Sequence, residues 1–330
     1  MRWLAGDIGG TSTRLAIFTL RDGAVRRVAD ETFHSRDYSG LEAIAQNFLS
    51  RQGLSVERAA FGIAGPVSAG VVRTPNLPWV IVAADLAKAL SIPDVDLMND
   101  LEANAWGIAS LLPGDIVEIQ PGDVATHGNR AVISAGTGLG VAGLYFDGAI
   151  HRPFACEGGH SDFAPRNAVE IQLLEFLRRR WDRISYERVL SGPGLRNIYE
   201  FFRDELGRAE TPGIAAAFRS ADPPAVISRA AMAGQCPLCV ESLDLFAAIY
   251  GAAAGNVALT MMATGGLYIG GGIAPKILSK LREPGFIEAF LDKGRMRTLL
   301  AAVPVRVILN QETALLGAGR YAAVRSGALA

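Results

Sequence analysis

Two stretches of this chain follow one plan, and that repetition limits the fold more than any other feature. Leu4 to Phe18 runs through an apolar segment, the turn Gly9-Gly10-Thr11 and a second apolar segment. Ala131 to Phe146 does the same around Gly136-Thr-Gly-Leu-Gly140 and closes on Asp147-Gly148. Short apolar runs on either side of a glycine turn read as strands meeting in a hairpin. Finding the unit twice points to an internal duplication. Glycine has no Cβ, so backbone at such a turn approaches an anion closely, and the adjacent N–H groups and threonine hydroxyls suit phosphate. Two such turns facing each other would grip one nucleotide. Asp7 stands just before the first turn. One carboxylate there can hold a hydrated Mg²⁺ beside the phosphates, because magnesium keeps most of its waters and needs few protein ligands. The competing reading of the first stretch is a tight hairpin whose glycines only permit the turn.

With 330 residues, half of them apolar, the chain can bury a sizeable core, and its length suggests two domains. A formal net charge of −1 offers no basic excess to match a nucleic-acid backbone. The first residues enter the Leu4 strand without a basic segment, a long apolar region or a cleavage site, so a cytoplasmic enzyme is expected. Cys156, Cys236 and Cys239 cannot make a disulfide framework. Cys236-Pro-Leu-Cys239 has the spacing of half a zinc site or a redox pair, but no second ligand pair stands at a helpful distance. Between Asp244 and Lys276 there is no charged side chain, and Gly251-Ala-Ala-Ala-Gly255 matches the small-residue pattern of membrane helices. Asn256, Thr260, Thr264 and Gly265-Gly266 interrupt it, so a buried helix ending near Ala263 and a strand from Leu267 to Ile269 fit better, with no membrane partner.

Ser39-Gly-Leu-Glu42 has capping-box spacing ahead of Leu41, Ile44, Ala45 and Phe48, and that helix is expected to end near Gly53. Ala59 to Ala64 reads as a strand closed by Gly65-Pro66, and Thr74 to Trp79 as a proline-punctuated loop bordering the site. A strand from Val95 to Met98 delivers Asn99 and Asp100 to its carboxyl end, where ligands collect in open α/β sheets. A helix follows there, with Leu101, Ala105, Ile108 and Leu112 expected to face inward. Asp100 has a second reading as a helix-capping aspartate, and both roles are compatible. Asn167-Ala-Val-Glu170 is another capping box, for a helix through Ile171, Leu174, Leu177 and Trp181, and Ser191-Gly-Pro-Gly194 opens one through Leu195, Ile198 and Phe202. Gly270-Gly271-Gly272 is a third glycine turn, over which a flat base can slide, so an adenosine pocket is expected. A strand from Val303 to Leu309 and a last helix from about Glu312 to Val324 complete the chain, that helix packing back on the first domain.

Gly6-Asp-Ile-Gly-Gly-Thr11, Leu97-Met-Asn-Asp100, Ala135-Gly-Thr-Gly-Leu-Gly140, Glu157-Gly-Gly-His160-Ser-Asp-Phe-Ala-Pro165, Glu187-Arg-Val-Leu-Ser-Gly-Pro-Gly194 and Gly270-Gly-Gly-Ile-Ala-Pro275 stand in this order. Together they resemble the bacterial glucokinase family, within the actin-like ATPase and hexokinase-type sugar kinase superfamily, over essentially the whole chain. The resemblance implies a two-domain α/β fold of the actin-like (ribonuclease H-like) type, with a duplicated mixed-sheet core and an interdomain cleft. The expected domains are a small one over 1–110 plus about 312–330 and a large one over 111–311. The implied activity is ATP-dependent phosphorylation of glucose to glucose 6-phosphate, with ATP and Mg²⁺ as cofactors. By the same resemblance Asp100 is the general base, and Asn99, Asp100, Glu157, His160 and Glu187 bind the sugar. Gly6, Asp7, Ile8, Gly9, Gly10 and Thr11, with Gly136, Thr137 and Gly138 and the run Gly270 to Gly272, would hold the nucleotide.

Glu157 and His160 have the spacing of a metal-binding helix pair, but Gly158-Gly159 between them disfavours a helix. Related kinase–regulator proteins carry a cysteine-rich zinc segment soon after Glu-x-x-His, and none follows here, so structural zinc is not expected. Gln311-Glu-Thr-Ala-Leu-Leu-Gly317 departs from the relatives' Asp-Asn-Pro-Gly start to the last helix. Other readings are a kinase of a different hexose and a non-catalytic sugar-responsive regulator on the same fold. A homodimer is left open.

Overall fold

The computed structural model describes residues 1–74, 76–123 and 127–329, so Pro75 of the expected 74–79 loop lies outside the described residues. The chain forms two compact units. The first comprises Met1–Asp115, Asp147–Ala155 and Asn310–Ala330, the second Ile116–Phe146 and Cys156–Leu309. The short segment 147–155 thus groups with the first unit.

The first unit holds a mixed sheet of β1 (Arg2–Ile8), β2 (Ser12–Arg21), β3 (Ala24–His34), β4 (Arg58–Ile63) and β5 (Asp94–Asn99), in the order β3-β2-β1-β4-β5. The hairpin strands β1 and β2 are antiparallel, while β1, β4 and β5 run parallel. Their register sets Ile8 beside Ile63 and Ile63 beside Asn99, so three carboxyl ends finish at one level. Helix Leu41–Gln52 packs Leu41, Ile44, Ala45 and Phe48 into this core and ends on left-handed Gly53, as its pattern indicates. Its N-cap, however, is the extended Gly40 with no side-chain cap, so Ser39 does not close a capping box.

Helix Asp100–Gly107 is shorter than the apolar spacing suggests. It ends at Gly107, and Leu112 beyond it is 64% exposed rather than buried. Helix Thr313–Arg325 returns to this unit and lies against Asp100–Gly107. A Cβ at Gly317 would run into the carbonyl oxygen of Ala103, so the two backbones meet almost directly.

The second unit repeats the scheme with β6 (Ile116–Gln120), β7 (Arg130–Ala135), β8 (Leu139–Phe146), β9 (Gly266–Gly270) and β10 (Val305–Ile308). The β7 and β8 hairpin is antiparallel, and β7, β9 and β10 are parallel, with β6 antiparallel to β10. Hairpin followed by two parallel strands therefore occurs in both units, which is the duplication seen in the sequence. Helix Pro237–Met261 is long and apolar enough to cross a bilayer, yet it is the central helix of this unit's core. Gly251 serves close packing here, since a Cβ would strike the carbonyl oxygen of Phe286 on helix Pro284–Leu291.

Two capping motifs form as read. Asn167 accepts from the Glu170 N–H at 3.0 Å, and Ser191 from the Gly194 N–H at 3.0 Å. Helix Ala168–Arg178 sets Leu174, Leu177 and the following Trp181 against the core as expected, and only Ile171 of that set turns outward. It buries Leu173, Phe176, Leu177 and Glu170, stops before Trp181, and leaves Ile171 48% exposed. Glu170 is buried because Arg166 pairs with it at 2.6 Å and its own helix cap binds it.

Candidate active site

In the first unit, Gly9, Gly10 and Thr11 form the turn between β1 and β2. Ser35 braces it by donating to the Gly9 carbonyl at 2.9 Å, and the Ser35 N–H donates to the Thr11 carbonyl at 3.0 Å. Gly6, Asp7 and Ile8 are the last residues of β1, and Thr11 is exposed. Parallel strands lie about 4.8 Å apart, so β5 ends roughly 10 Å across the sheet from this turn. Asn99 is the last residue of β5 and the N-cap of the next helix, and Asp100 is that helix's first residue. Asn99 accepts from the Leu101 N–H at 2.8 Å and donates to the Gly65 carbonyl at 3.1 Å. The Asp100 carboxylate also accepts from the Leu101 N–H, at 2.9 Å. Asp100 therefore takes part in the cap, and Asn99 provides it independently.

Asp7 has a side chain only a quarter exposed, with Arg14 at 3.9 Å from its partner position across the hairpin. Burial pushes its pKa up, Arg14 pulls it down, and the Glu312 carboxylate adds to the rise. Arg14 in turn donates to the Gln311 carbonyl at 2.9 Å, and Glu312 pairs with Arg27 at 2.6 Å. Sequence reasoning missed Arg14 and Glu312. The hairpin register pairing residues 7 and 14 was a usable signal for the first, whereas the second arrives from the far end of the chain.

In the second unit, Gly136, Thr137 and Gly138 make the turn between β7 and β8, and Thr137 is exposed. Glu187 accepts from the Leu139 N–H at 3.0 Å, and its carboxylate lies against Gly138. The Gly192 N–H donates to the Gly136 carbonyl at 2.8 Å, so the whole 187–194 motif backs this turn. Glu157 and His160 flank a short helical turn over Gly158–His160 and are both exposed. That turn is pressed onto β8, because a Cβ at Gly159 would strike the Leu139 carbonyl. Arg183 holds it further, donating to the His160 carbonyl at 2.7 Å, while the Tyr186 N–H donates to the Ser161 carbonyl at 2.9 Å. The backbone of the 158–160 turn and the Glu187 carboxylate therefore both lie against Leu139. Gly270 ends β9, and Gly271 has φ +83° where a Cβ would meet the Ala135 carbonyl, so the third glycine turn lies beside the second.

Each unit therefore assembles its own part. Gly6 to Thr11, Asn99 and Asp100 share one end of the sheet in the first unit, and in the second unit Gly136–Gly138 and Gly270–Gly272 lie side by side, with Glu187 bonded to the first of these turns. Cys236 and Cys239 are buried, and among the described residues no group of three or more His, Cys, Asp or Glu is arranged to hold a metal. Cys236 caps helix Pro237–Met261 by accepting from the Cys239 N–H at 3.3 Å.

The glucokinase family model matches residues 4–325. The glucokinase of Nostoc sp. strain PCC 7120 is 42% identical over 97% of this chain and 98% of its own, and that of Synechocystis sp. strain PCC 6803 is 39% identical over 98% of each. The crystal structure of glucokinase from an Antarctic psychrotroph superposes with a TM-score of 0.87 at 33% identity, covering 97% of this chain and 98% of the other. A ROK family glucokinase from Streptomyces griseus, solved with glucose and AMPPNP, superposes with a TM-score of 0.66 at 21% identity over 98% and 99% of the two chains, a likeness of fold. With a family model spanning nearly its full length and relatives this similar from end to end, the chain belongs to the glucokinase family.

Proposed function

We propose that the chain transfers the γ-phosphoryl group of ATP to the 6-hydroxyl of glucose, giving glucose 6-phosphate and ADP. The observation that carries this reading is the placement of Asn99-Asp100 at a strand's carboxyl end, level with the first glycine turn at the same end of the sheet. Phosphoryl transfer passes through a loose transition state, so the protein's work is alignment, charge neutralisation and orientation of the nucleophile. Asp100 accepts the proton of the sugar 6-hydroxyl as that oxygen bonds to phosphorus. The bond from phosphorus to the β-phosphate oxygen breaks, and ADP leaves with its electron pair. Asn99, Glu157, His160 and Glu187 satisfy the other sugar hydroxyls, and the three glycine turns hold the nucleotide.

Mg²⁺ fits this residue set. A single carboxylate beside substrate phosphates is its usual protein share, and Asp7, with a pKa raised by burial and by Glu312, gains from a nearby cation. Held by Asp7, the ion would neutralise charge on the phosphates. The reading places the enzyme in the cytoplasm, with ATP and glucose as its partners.

The test is ADP release on adding a panel of hexoses, with and without a chelator of divalent cations. Glucose-dependent turnover abolished by chelation is expected. ATP consumption that is the same without any sugar sinks the reading. A sugar-responsive regulator would bind glucose and release no ADP.

A further inference from the structure

Ser134 is the one side chain at the second glycine turn whose chemistry the assignment above leaves unused. It lies in β7 two residues before Gly136, only 8% exposed, and its hydroxyl has no hydrogen-bond partner among the described residues. Buried hydroxyls are almost always paired, so an orphan at a polar site calls for a partner from outside the chain. Its surroundings say where that partner lies. Ile133 and Ala135, on the opposite sheet face, pack into the unit's core, and alternation turns Ser134 away from them. Ser134 pairs in register with Gly270, and a Cβ at Gly270 would run into the Ser134 hydroxyl. The hydroxyl, itself closed off from solvent, therefore lies in the seam between β7 and β9, one residue short of the second and third glycine turns. Gly136 and Gly272, on either side, face open space.

The internal repeat gives an independent pointer. Asp7 stands two residues before Gly9 and pairs in register with Gly62 on the neighbouring parallel strand. Ser134 stands two residues before Gly136 and pairs with Gly270 in the same sense. Ser134 is the second unit's counterpart of Asp7, with a neutral donor where the first unit has a carboxylate. A hydroxyl suits direct contact with a phosphate oxygen, which needs a donor and repels a second anion.

We propose that Ser134 is a phosphate-binding residue whose hydroxyl donates to an oxygen of the nucleotide's phosphate chain at the second glycine turn. The proposal rests on reading Gly136 to Gly138 as a nucleotide turn. It is tested by titrating the ligand-free protein and its Ser134→Ala variant with ADP and with adenosine in a calorimeter, alongside thermal melts. Ser134→Ala is expected to bind ADP about tenfold more weakly, the scale of a hydrogen bond to a charged group. Adenosine affinity should stay unchanged, and the ligand-free Tm should stay level or rise, since an unpaired buried hydroxyl has gone. Equal ADP affinity in the two proteins overturns the proposal and leaves the kinase reading intact. Equal losses for ADP and adenosine, or a clear fall in ligand-free Tm, assign Ser134 a structural role and overturn it as well. Wild-type protein that binds no ADP fails the nucleotide-turn reading itself.

Discussion

Glu187 accepts a hydrogen bond from the Leu139 N–H at 3.0 Å, tying a candidate sugar ligand to the backbone of the second glycine turn. On the function proposed above, a carboxylate in that position would couple the sugar to the nucleotide turn. Glu157, which lies on the separate 157–160 turn, has no such bond to the glycine loop among the described hydrogen bonds. Glu187→Ala is expected to raise the glucose KM and also to weaken ADP binding, each by about tenfold, because a bond to a charged acceptor contributes ~1.5–3 kcal/mol. Glu157→Ala should raise the glucose KM alone. Steady-state kinetics with calorimetric ADP titration checks both, and an unchanged ADP affinity in Glu187→Ala would remove the coupling.

Asn99 and Asp100 both accept from the Leu101 N–H, so the helix keeps a cap when either is lost. This separates chemistry from structure at position 100. Asp100→Ala should lower kcat by about two to four powers of ten, as removal of a general base does, with a Tm change of no more than a few degrees. A variant that melts far earlier while retaining kcat would make Asp100 a structural residue.

Asp7 provides a pH signature. Because its pKa is raised in the folded protein, the stability tied to its neutral form is present below its ordinary value of 3.8 and is lost as pH rises through the folded value. The ionised form of Asp7 is thus the disfavoured one in the ligand-free protein. Asp7→Asn is expected to raise the ligand-free Tm at pH 7, with the gain shrinking as pH falls toward 4, and to reduce Mg²⁺-dependent turnover. Melting curves across that range decide it. A gain that grows on acidification contradicts the assigned direction.

Gly317 has no room for a side chain against Ala103 in the helix that begins at Asp100. Gly317→Ala should destabilise the protein by ~1–3 kcal/mol or more through overpacking, despite alanine's better helix propensity. Chemical denaturation measures this, and a stabilised variant would show that the two helices separate at no cost.

Much of the architecture is legible from local chemistry. The two hairpins stand out because apolar runs of strand length are cut by glycine, and Asn167 and Ser191 start helices where their side chains reach the N–H three residues on. The candidate residues sit next to such signals, at strand ends and turns. Other features resist reading. Helix Ala168–Arg178 buries a carboxylate, Glu170, that its apolar pattern does not announce, because Arg166 and the capping Asn167 both bind it. Ser39 has capping-box spacing, yet the chain enters its helix through Gly40.

By itself the sequence determined where strands, glycine turns and capped helices form, and that two copies of one motif stand in the chain, because hydrophobic period, Cβ absence and side-chain capping act over a few residues. Only the tertiary structure decided that Arg14 and Glu312 both act on Asp7, that Glu187 binds the Leu139 N–H, and that the Ser134 hydroxyl covers Gly270. Apart from the hairpin pair Asp7 and Arg14, those relationships join residues tens to hundreds of positions apart, and strand register and helix packing set them, not local propensity.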